Sequence, residues 1–431
     1  MNSPSSALVP NLASAGQTHG RLDRYLRQRL LDTLPALRDC ELVLVDGDER
    51  FHLGQPLAGR EPLRAELLVH SPEFYRRLAQ GGSVGVGEAW MDGLWSCSDA
   101  VTLVRIFVRN RDLLDAMEGG AARVGGWLMR AAHALRRNTR DGSRRNIAEH
   151  YDLGNELFSL FLDDKLMYSS ALFAHEHESL QVAATRKLER ICQKLELKPG
   201  DHVVEIGTGW GGFALHAAKH YGCRVTTTTI SQEQHALATR RIAEAGLSDR
   251  VTLLLKDYRD LDGHYDKLVS IEMIEAIGHQ YLDTYFAKCA SLLKPDGMAL
   301  VQAITIEDHR YLQALHSVDF IKRHIFPGSF IPSVSAMLGA AGRSADFKCT
   351  HLEDFGLSYA WTLRAWHQRF VAQLPAVRAL GYSERFVRMW RWYLAYCEGG
   401  FLERAIGVVQ LQFAKSGARP EPFLPGLREG T

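Results

Sequence analysis

The chain has 431 residues, with 51 lysines and arginines against 50 aspartates and glutamates, and hence a formal charge of +1. Its 46% hydrophobic and 23% charged residues are typical of globular proteins, which excludes a fibrous or disordered chain. The balanced charge also argues against a nucleic-acid partner held by a generally basic surface. Seven scattered cysteines without a CxxC pair favour reduced thiols in a cytosolic protein and predict no metal site.

Residues 1–20 are rich in Ser, Ala, Pro and Gly and lack a basic start and a long apolar run, so they are interpreted as a disordered tail. Residues 21–118 mix helical and strand-like patterns and form a predicted first domain. Its dense glycine cluster at 81–87 predicts tight turns or close backbone contact. No run approaches the roughly 18 uninterrupted apolar residues of a membrane-spanning helix.

Residues 119–147 are predicted to link two domains. They carry arginines at positions 123, 130, 136, 137, 140, 144 and 145 against the single acid Asp141, with Trp127, Leu128 and Leu135 between them. This interleaving predicts a basic amphipathic helix. Two interpretations stay open: an ordinary interdomain helix with one solvated face, or a helix that adheres to anionic phospholipid, where each basic group contributes about 1 kcal/mol.

From residue 148 onward, short apolar strands alternate with helices. Strands are predicted at 202–206, 223–230, 251–256, 267–271, 298–304 and 406–414, and helices at 213–220, 281–293, 361–380 and 383–398. A further helix opens at Ser231, with Gln234 at the capping-box position, and the helix at 281–293 ends in a predicted turn at 294–297. This alternation predicts a mostly parallel sheet with helices on both faces.

A glycine-rich loop joins the first of these strands to the first helix. Its GxGxxG spacing is formed by Gly207, Gly209 and Gly212. Between a strand and a helix, such a loop is typical of nucleotide-type cofactor sites. NAD would require an acid at the end of the second strand, whereas the acid here, Glu205, lies at the end of the first. This favours S-adenosylmethionine, whose adenine would lie between Asp257 and Tyr258 after the third strand.

Several segments together resemble the cyclopropane-fatty-acyl-phospholipid synthase family and its mycolic acid methyltransferase relatives. They lie at 150–158, 167–170, 205–213, 229–234, 256–260, 272–275, 325–328, 355–359 and 392–397. The segment at 81–93 is similar to the full-length bacterial synthases, which carry an extra lipid-engaging domain. The resemblance implies an α/β fold: a Rossmann-like class I methyltransferase domain at 148–431, with a mostly parallel seven-stranded sheet, after a smaller mixed α/β lipid-engaging domain at 21–118.

The family resemblance also implies an activity. Its members use S-adenosylmethionine to transfer a one-carbon unit to the cis double bond of unsaturated phospholipid acyl chains, giving cyclopropane fatty acids. We therefore expect a cytoplasmic protein that binds peripherally to the anionic inner membrane surface, and the relatives suggest a homodimer. Three alternatives stay open: acyl C-methylation giving methyl-branched or methylene products, methylation of a small soluble molecule, and a non-catalytic lipid-binding module.

The residue patterns and the resemblance together predict the site residues. Cofactor-binding positions are expected at Tyr151, Tyr168, Ser169, Glu205, Gly207, Gly209, Trp210, Gly211, Thr229, Gln234, Asp257 and Tyr258. Catalytic positions are expected at Glu275, Tyr359, Gln302, Ile304, Ser170 and Cys397. In the family, the positions of Glu275 and Tyr359 hold a bicarbonate beside the sulfonium methyl group.

Two of these positions depart from the family pattern. Ser170 stands where the family usually has Cys, and Gln302 stands where it usually has His. A glutamine amide offers a donor and an acceptor but cannot carry a charge. The presence of bicarbonate and the formation of a ring rather than a branch are therefore left open. For the nearby Glu272, a functional role and a role as a helix cap or part of an exposed turn are equally open.

Overall fold

The structure of the protein is a computed structural model that describes residues 20–117 and 153–423, apart from the side chains of 115–117. The chain divides into two compact units, Met1–Ala122 and Arg123–Thr431. Residues 1–19 of the predicted tail and the whole of the predicted basic linker lie outside the described residues. None of the helices within the described ranges combines the length and the apolar character that a membrane span requires.

The N-terminal unit is a small mixed α/β fold, as predicted. Its elements are α1 (Arg21–Thr33), β1 (Cys40–Asp46), β2 (Glu49–Leu53), β3 (Leu63–Val69), α2 (Glu73–Met91), β4 (Trp95–Cys97), α3 (Ala100–Arg109) and α4 (Arg111–Met117). The sheet order is β2-β1-β3-β4, in which only β1 and β3 are parallel. Alternate residues of β1 are buried, among them Leu42 and Leu44, because one face of the sheet covers the core of the unit.

The glycine cluster lies inside α2, where the sequence predicted tight turns or close contacts. The helix is kinked at Gly82, whose φ of 51° and ψ of −132° are not helical. Beyond the kink, a Cβ on Gly85 would lie 2.0 Å from the carbonyl oxygen of Arg77. The cluster therefore bends one helix and allows a close backbone approach, instead of forming a turn between two separate elements.

We expect Gly85→Ala to lower the free energy of unfolding of the N-terminal unit by about 3 kcal/mol, because the new methyl group would overlap the Arg77 carbonyl. The matched control is Gly81→Ala, since no atom lies within 4 Å of its added Cβ, and it should stabilise the helix by about 0.5 kcal/mol. Urea denaturation, with limited proteolysis to identify the unit that unfolds, measures both. Equal stability of the two variants would contradict the close approach.

The C-terminal unit has a larger set of elements around one sheet. They are α5 (Asn155–Phe161), α6 (Leu180–Lys194), β5 (His202–Ile206), α7 (Gly212–Tyr221), β6 (Arg224–Thr229), α8 (Gln232–Glu244), β7 (Val251–Leu255), β8 (Tyr265–Ile271), α9 (Leu282–Ser291), β9 (Leu293–Ile306), α10 (Tyr311–Leu315), α11 (Val334–Ser344), β10 (Phe347–Asp354), α12 (Gly356–Ala372), α13 (Leu374–Ala379), α14 (Glu384–Leu402) and β11 (Ile406–Lys415). Short 3-10 helices include Tyr258–Asp260 and Ile274–Ala276.

The seven-stranded sheet has the order β10-β11-β9-β8-β5-β6-β7. The five strands from β9 to β7 are mutually parallel, and β11 and β10 are antiparallel, which confirms the predicted mostly parallel sheet. The chain runs outward from β5 through β6 and β7 and then returns to β8 on the other side of β5. In open α/β sheets, ligands bind beyond the carboxyl ends of the strands where the order reverses. A ligand site is therefore expected at the carboxyl ends of β5 and β8.

Helix α6 packs on the sheet with an unusual buried face. Ala184, Leu188 and Ile191 recur at helical spacing and are buried, as expected for an amphipathic helix. Lys187 and Lys194 lie on the same stripe and are almost completely inaccessible to solvent. Buried lysines require partners, and these lead into the site described below.

Two local predictions need correction. Ser231 caps α8 by accepting a hydrogen bond from the backbone N–H of Gln234, but the Gln234 side chain bonds to Thr229 instead of closing a capping box. Strand β9 begins before the predicted turn at 294–297. Tyr265 pairs with Leu293, and two residues later β8 pairs with residue 298, so the intervening residues of β9 bulge out of the ladder.

Candidate active site

The glycine loop follows β5 at the point where the strand order reverses. Gly207, Gly209 and Gly211 all have positive φ angles, of 97°, 52° and 86°, which favour glycine. The backbone N–H groups of Gly207 and Thr208 donate to the carbonyl oxygen of Thr228 and fix the loop against β6. No atom lies within 4 Å of where a Cβ on Gly209 would be, so open space remains beside the loop. This cradle fits the close approach of a cofactor such as S-adenosylmethionine.

The end of β6 carries two of the predicted cofactor-binding residues. The Thr229 hydroxyl donates to Oε1 of Gln234 at 2.8 Å, and it accepts from the backbone N–H of Ser231 at 3.1 Å. Both Thr229 and Gln234 are buried. Their mutual bond orients the amide group of Gln234 beside the carboxyl end of β6.

The predicted acids of the cofactor site are engaged within the protein. Glu205 is buried and accepts from the Thr227 hydroxyl at 2.6 Å, and burial raises the pKa of its carboxyl group to about 8. Asp257 accepts from the Arg259 guanidinium at 2.8 and 2.7 Å. Tyr258 packs edge-on against Tyr285, with ring centroids 5.7 Å apart. Asp257 and Tyr258 follow β7 after one residue, at the carboxyl end of the strand, as expected.

The remaining predicted cofactor residues lie around α5 and the segment before α6. The Trp210 indole donates to Oδ1 of Asn155 at 2.6 Å and is almost completely buried. Ser169 accepts a hydrogen bond from the ammonium group of Lys187 at 2.7 Å. The hydroxyls of Tyr168 and Tyr393 lie 3.0 Å apart. Tyr151 lies outside the described residues.

The carboxylate of Glu272 binds three of the six predicted catalytic residues. Its Oε1 accepts from the backbone N–H of Ser170 at 2.9 Å and from Nε2 of Gln302 at 2.8 Å. Its Oε2 accepts from the Tyr359 hydroxyl at 2.7 Å. Burial raises the pKa of the Glu272 carboxyl, and the bonds from Tyr359 and Gln302 oppose that shift. Of the two roles left open for Glu272, these bonds favour the functional one over a helix cap or an exposed turn.

Glu275 lies one 3-10 turn further on and has a different environment. Its Oε1 accepts from the backbone N–H of Ile304 at 2.6 Å, whereas its Oε2 is buried without a hydrogen-bond partner among the described residues. Burial and the charge of Glu272 raise the pKa of the Glu275 carboxyl to about 8. Tyr359 therefore bonds to Glu272 and not to Glu275, with which the resemblance grouped it.

The structure thus brings five of the six predicted catalytic residues together around two carboxyl groups. Ser170 contributes its backbone, since its own hydroxyl donates to the carbonyl oxygen of Ala171. Cys397, the sixth, makes no hydrogen bond to either carboxyl group among the described contacts. Burial raises the pKa of the Cys397 thiol, so it stays protonated at neutral pH.

Two buried lysines complete the polar network of the site. Neither lysine was predicted from the sequence. Lys187, which donates to Ser169, faces the charges of Glu272, Asp163 and Glu205, and burial lowers the pKa of its ammonium group to about 8. Each lysine falls in phase with the apolar stripe of α6. Their position on the apolar face of the helix could have identified both lysines from the sequence, because a lysine on a buried face must have buried partners.

The second lysine, Lys194, reaches the site through two glutamines. Its ammonium group donates to Oε1 of Gln410 at 2.8 Å, and Nε2 of Gln410 donates to Oε1 of Gln302 at 3.0 Å. Gln302 and Gln410 face each other across the register of β9 and β11. We call this series from Lys194 through Gln410 and Gln302 to Glu272 the amide relay.

An aromatic wall lies beside the carboxyl groups. It is formed by Tyr168, Phe326, Trp366 and Tyr393. The rings of Tyr168 and Trp366 lie 5.3 Å apart, and those of Phe326 and Tyr393 lie 6.1 Å apart. Tyr359 joins the wall edge-on to Trp366 at 6.2 Å. Electron-rich ring faces beside a carboxylate suit a positively charged group or an apolar chain that becomes positive during a reaction.

The pair of carboxyl groups predicts a measurable pH dependence of stability. The folded protein holds the Glu275 proton up to about pH 8, whereas the unfolded chain releases it near the ordinary value of 4.5. Stability therefore falls as the pH rises between these values. From pH 6 to pH 8, urea denaturation of the protein without cofactor should show a loss about 1–2 kcal/mol larger than for Glu275→Gln. Parallel losses in the two proteins would contradict the raised pKa of Glu275.

Bicarbonate does not fit the site as it stands. The donors that would bind it, from Ser170, Gln302 and Tyr359, already bond to the carboxylate of Glu272. The remaining donor, the backbone N–H of Ile304, bonds to Glu275. Among the described residues there is also no group of His, Cys, Asp and Glu that could hold a metal ion.

Comparisons with known proteins agree with this site. A family model described as mycolic acid cyclopropane synthetase matches residues 138–411. The chain is 36% identical to tuberculostearic acid methyltransferase UfaA1 of Mycobacterium tuberculosis, over 96% of this chain and 95% of that protein. It is 37% identical to cyclopropane-fatty-acyl-phospholipid synthase of Escherichia coli K12, over 87% of this chain and 96% of that protein. The crystal structure of mycolic acid cyclopropane synthase CmaA1 complexed with SAH and CTAB has a TM-score of 0.59 and 29% identity, covering 63% of this chain and 98% of that one.

The parallel sheet, the glycine loop at its reversal point and the structural similarity define an S-adenosylmethionine-dependent methyltransferase with a Rossmann-like fold. The class predicted from the sequence is thereby confirmed. More narrowly, the chain belongs to the mycolic acid cyclopropane synthetase family, to which both its matched region and its full-length relatives assign it.

Proposed function

We propose that this protein transfers a one-carbon unit from S-adenosylmethionine to the cis double bond of unsaturated phospholipid acyl chains and closes a cyclopropane ring. The observation that carries the proposal is the position of two buried carboxyl groups, Glu272 and Glu275, beside an aromatic wall at the reversal point of the sheet. The similarity to the Escherichia coli synthase over 87% of this chain supports the same activity.

An alkene is a weak nucleophile, so the site must align it and exclude water. S-adenosylmethionine, when bound, supplies a methyl group carried on a positively charged sulfur. The aromatic wall would hold the acyl chain, and its ring faces would stabilise the positive charge that the alkene acquires. The Glu272 carboxylate, held by Tyr359 and Gln302, adds a fixed negative charge in a site of low dielectric constant.

The residues that would hold the cofactor come from five segments of the sequence. We assign this role to Tyr151, Tyr168, Ser169, Glu205, Gly207, Gly209, Trp210, Gly211, Thr229, Gln234, Asp257 and Tyr258. The glycine loop offers backbone close to the ligand, and Gln234 offers its oriented amide. The role proposed for Cys397 is packing beside the site, because its thiol stays neutral.

A second candidate is acyl C-methylation with a methylene product. It is favoured by the similarity to a tuberculostearic acid methyltransferase over 96% of this chain. In this outcome a hydride shift precedes the loss of a proton from the transferred methyl carbon, and a carbon–carbon double bond forms instead of a ring.

The membrane contact is assigned to the N-terminal domain and the Arg-rich segment at 119–147. If this segment binds anionic lipid, replacing Arg136, Arg137, Arg144 and Arg145 by Ser should reduce sedimentation with phosphatidylglycerol vesicles at low salt. Neutral phosphatidylcholine vesicles are the control. Equal sedimentation of both proteins with the anionic vesicles would count against this assignment.

The activity is tested with the purified full chain, S-adenosylmethionine and dioleoyl phosphatidylglycerol vesicles. Gas chromatography with mass spectrometry should show fatty acids that have gained one CH2 group, and these should resist mild hydrogenation if a ring has formed. A product that takes up hydrogen would favour the methylene. Vesicles of saturated dipalmitoyl lipid should give no product. Methylation of a soluble acceptor without any change in the lipid would refute the proposal.

A further inference from the structure

The carboxylate of Glu272 is held as a bound anion would be. A carboxylate and a bicarbonate share the same planar arrangement of oxygens around a trigonal carbon, so the same donors serve either. Three donors, from Ser170, Gln302 and Tyr359, lie 2.7–2.9 Å from the two oxygens of Glu272. These are the positions that the family resemblance assigned to the bicarbonate pocket. One set of donors cannot hold both anions at once.

The amide relay fixes the direction in which Gln302 points. The ammonium group of Lys194 can only donate, so Gln410 must present its oxygen to it and its NH2 group to Gln302. Gln302 then presents its own NH2 group to Glu272. A cation at one end and a carboxylate at the other thus determine both amide orientations. The donor at Gln302 is preorganised for an anion at the position of Glu272.

Glu272 has a strained backbone conformation at this position. Its φ of 50° lies in the left-handed region, where a residue other than glycine costs on the order of 1 kcal/mol. Its backbone N–H donates to the carbonyl oxygen of Gln302 at 2.8 Å, which ties the strained residue to β9. Strain of this kind persists where the surrounding structure enforces it, and it concentrates at functional sites. Glycine at this position would relieve the strain and vacate the pocket.

We propose that the Glu272 carboxylate is the anion and the proton acceptor of this pocket, so that the reaction does not draw on dissolved bicarbonate. This inference rests on the proposed transfer to an alkene. When the new carbon–carbon bond forms and the carbon–sulfur bond breaks, the acyl chain is left with a positive charge. Glu272 takes a proton from the transferred methyl carbon, the electrons of that C–H bond close the ring, and the proton later passes to solvent. Burial, which raises the pKa of Glu272, makes its carboxylate a better base.

The experiment measures product formation in buffers freed of carbon dioxide, with and without added sodium bicarbonate. The full-length wild-type protein, S-adenosylmethionine and dioleoyl phosphatidylglycerol vesicles are used. We expect wild-type rates to agree within about twofold in the two buffers. Glu272→Gly should lose about 100-fold without bicarbonate and recover about tenfold when it is added. Glu272→Gln, which keeps the volume but not the base, should lose about 100-fold in both buffers.

Calorimetry with S-adenosylmethionine and thermal melting establish that each variant is folded and binds the cofactor. If Glu272→Gly fails to fold, the rates of the wild-type protein and of Glu272→Gln with and without bicarbonate still test the inference. A wild-type rate that depends strongly on bicarbonate, or full activity of Glu272→Gln, would overturn the inference while leaving the proposed function intact. Absence of any lipid product from the wild-type protein in both buffers would overturn the proposed function itself, and the inference with it.

Discussion

Tyr359→Phe should lower kcat by about 100-fold while leaving the KM for S-adenosylmethionine within about threefold of the wild-type value. The lost hydroxyl is the donor to Oε2 of Glu272, at 2.7 Å. Burial and the charge of Glu272 raise the pKa of the Tyr359 hydroxyl, so it remains a neutral donor. The phenylalanine ring would keep the stacking on Phe401, whose ring centroid lies 4.5 Å away. The variant therefore removes one hydrogen bond from the carboxylate with little change in packing.

Steady-state kinetics on unsaturated vesicles measure this effect, and Tyr265→Phe is the matched control. Tyr265 is also buried, and its hydroxyl donates to the carbonyl oxygen of Asp262 at 3.0 Å. It lies at the start of β8, whereas the site lies at the end of that strand. The control should retain wild-type kcat. If Tyr359→Phe retained it as well, the hydrogen bond to Glu272 would have no part in the reaction.

Lys187→Met should lower the free energy of unfolding by about 3–5 kcal/mol, because it removes the cation that faces the carboxylates of Glu272 and Asp163. Glu205 also lies nearby, but with its pKa raised to about 8 it is mostly protonated at pH 7. Methionine fills nearly the same volume, so the loss would come from charge and hydrogen bonding rather than from a cavity. Urea denaturation at pH 7 measures the change.

Two controls separate the charge of Lys187 from its other contributions. Ser169→Ala removes the acceptor of its hydrogen bond but keeps the cation, and it should cost about 1 kcal/mol. Lys219→Met removes an exposed cation from α7 and should have almost no effect. A Lys187→Met protein as stable as the wild type would mean that the neighbouring carboxyl groups are protonated in the folded state and need no counter-charge.

Much of the catalytic fold could be predicted because alternating strands and helices and a glycine loop are local signals. The grouping of Ser170, Gln302, Ile304, Tyr359 and Glu275 followed from the family resemblance. The role of Glu272 could not be predicted, because the direction of its side chain depends on a left-handed backbone that no periodicity reveals.

The contact between Gln302 and Gln410 also could not be predicted from the sequence. These residues are far apart along the chain, and they meet only because β11 returns antiparallel to β9 in one particular register. A shift of that register by one residue would send every side chain of β11 to the opposite face. Lys187 and Lys194, by contrast, could have been recognised from their phase on α6.

The amide relay couples the identity of residue 302 to that of residue 410. A histidine at 302 would place a ring, with no rotatable amide, between Gln410 and Glu272, and the partner that Lys194 requires would have to change with it. Lys194 also forms an ion pair of 2.7 Å with Glu353, on the outermost strand of the sheet. Exchange between a glutamine and a histidine at this position is thus expected to require concerted substitutions that extend to the outermost strand of the sheet.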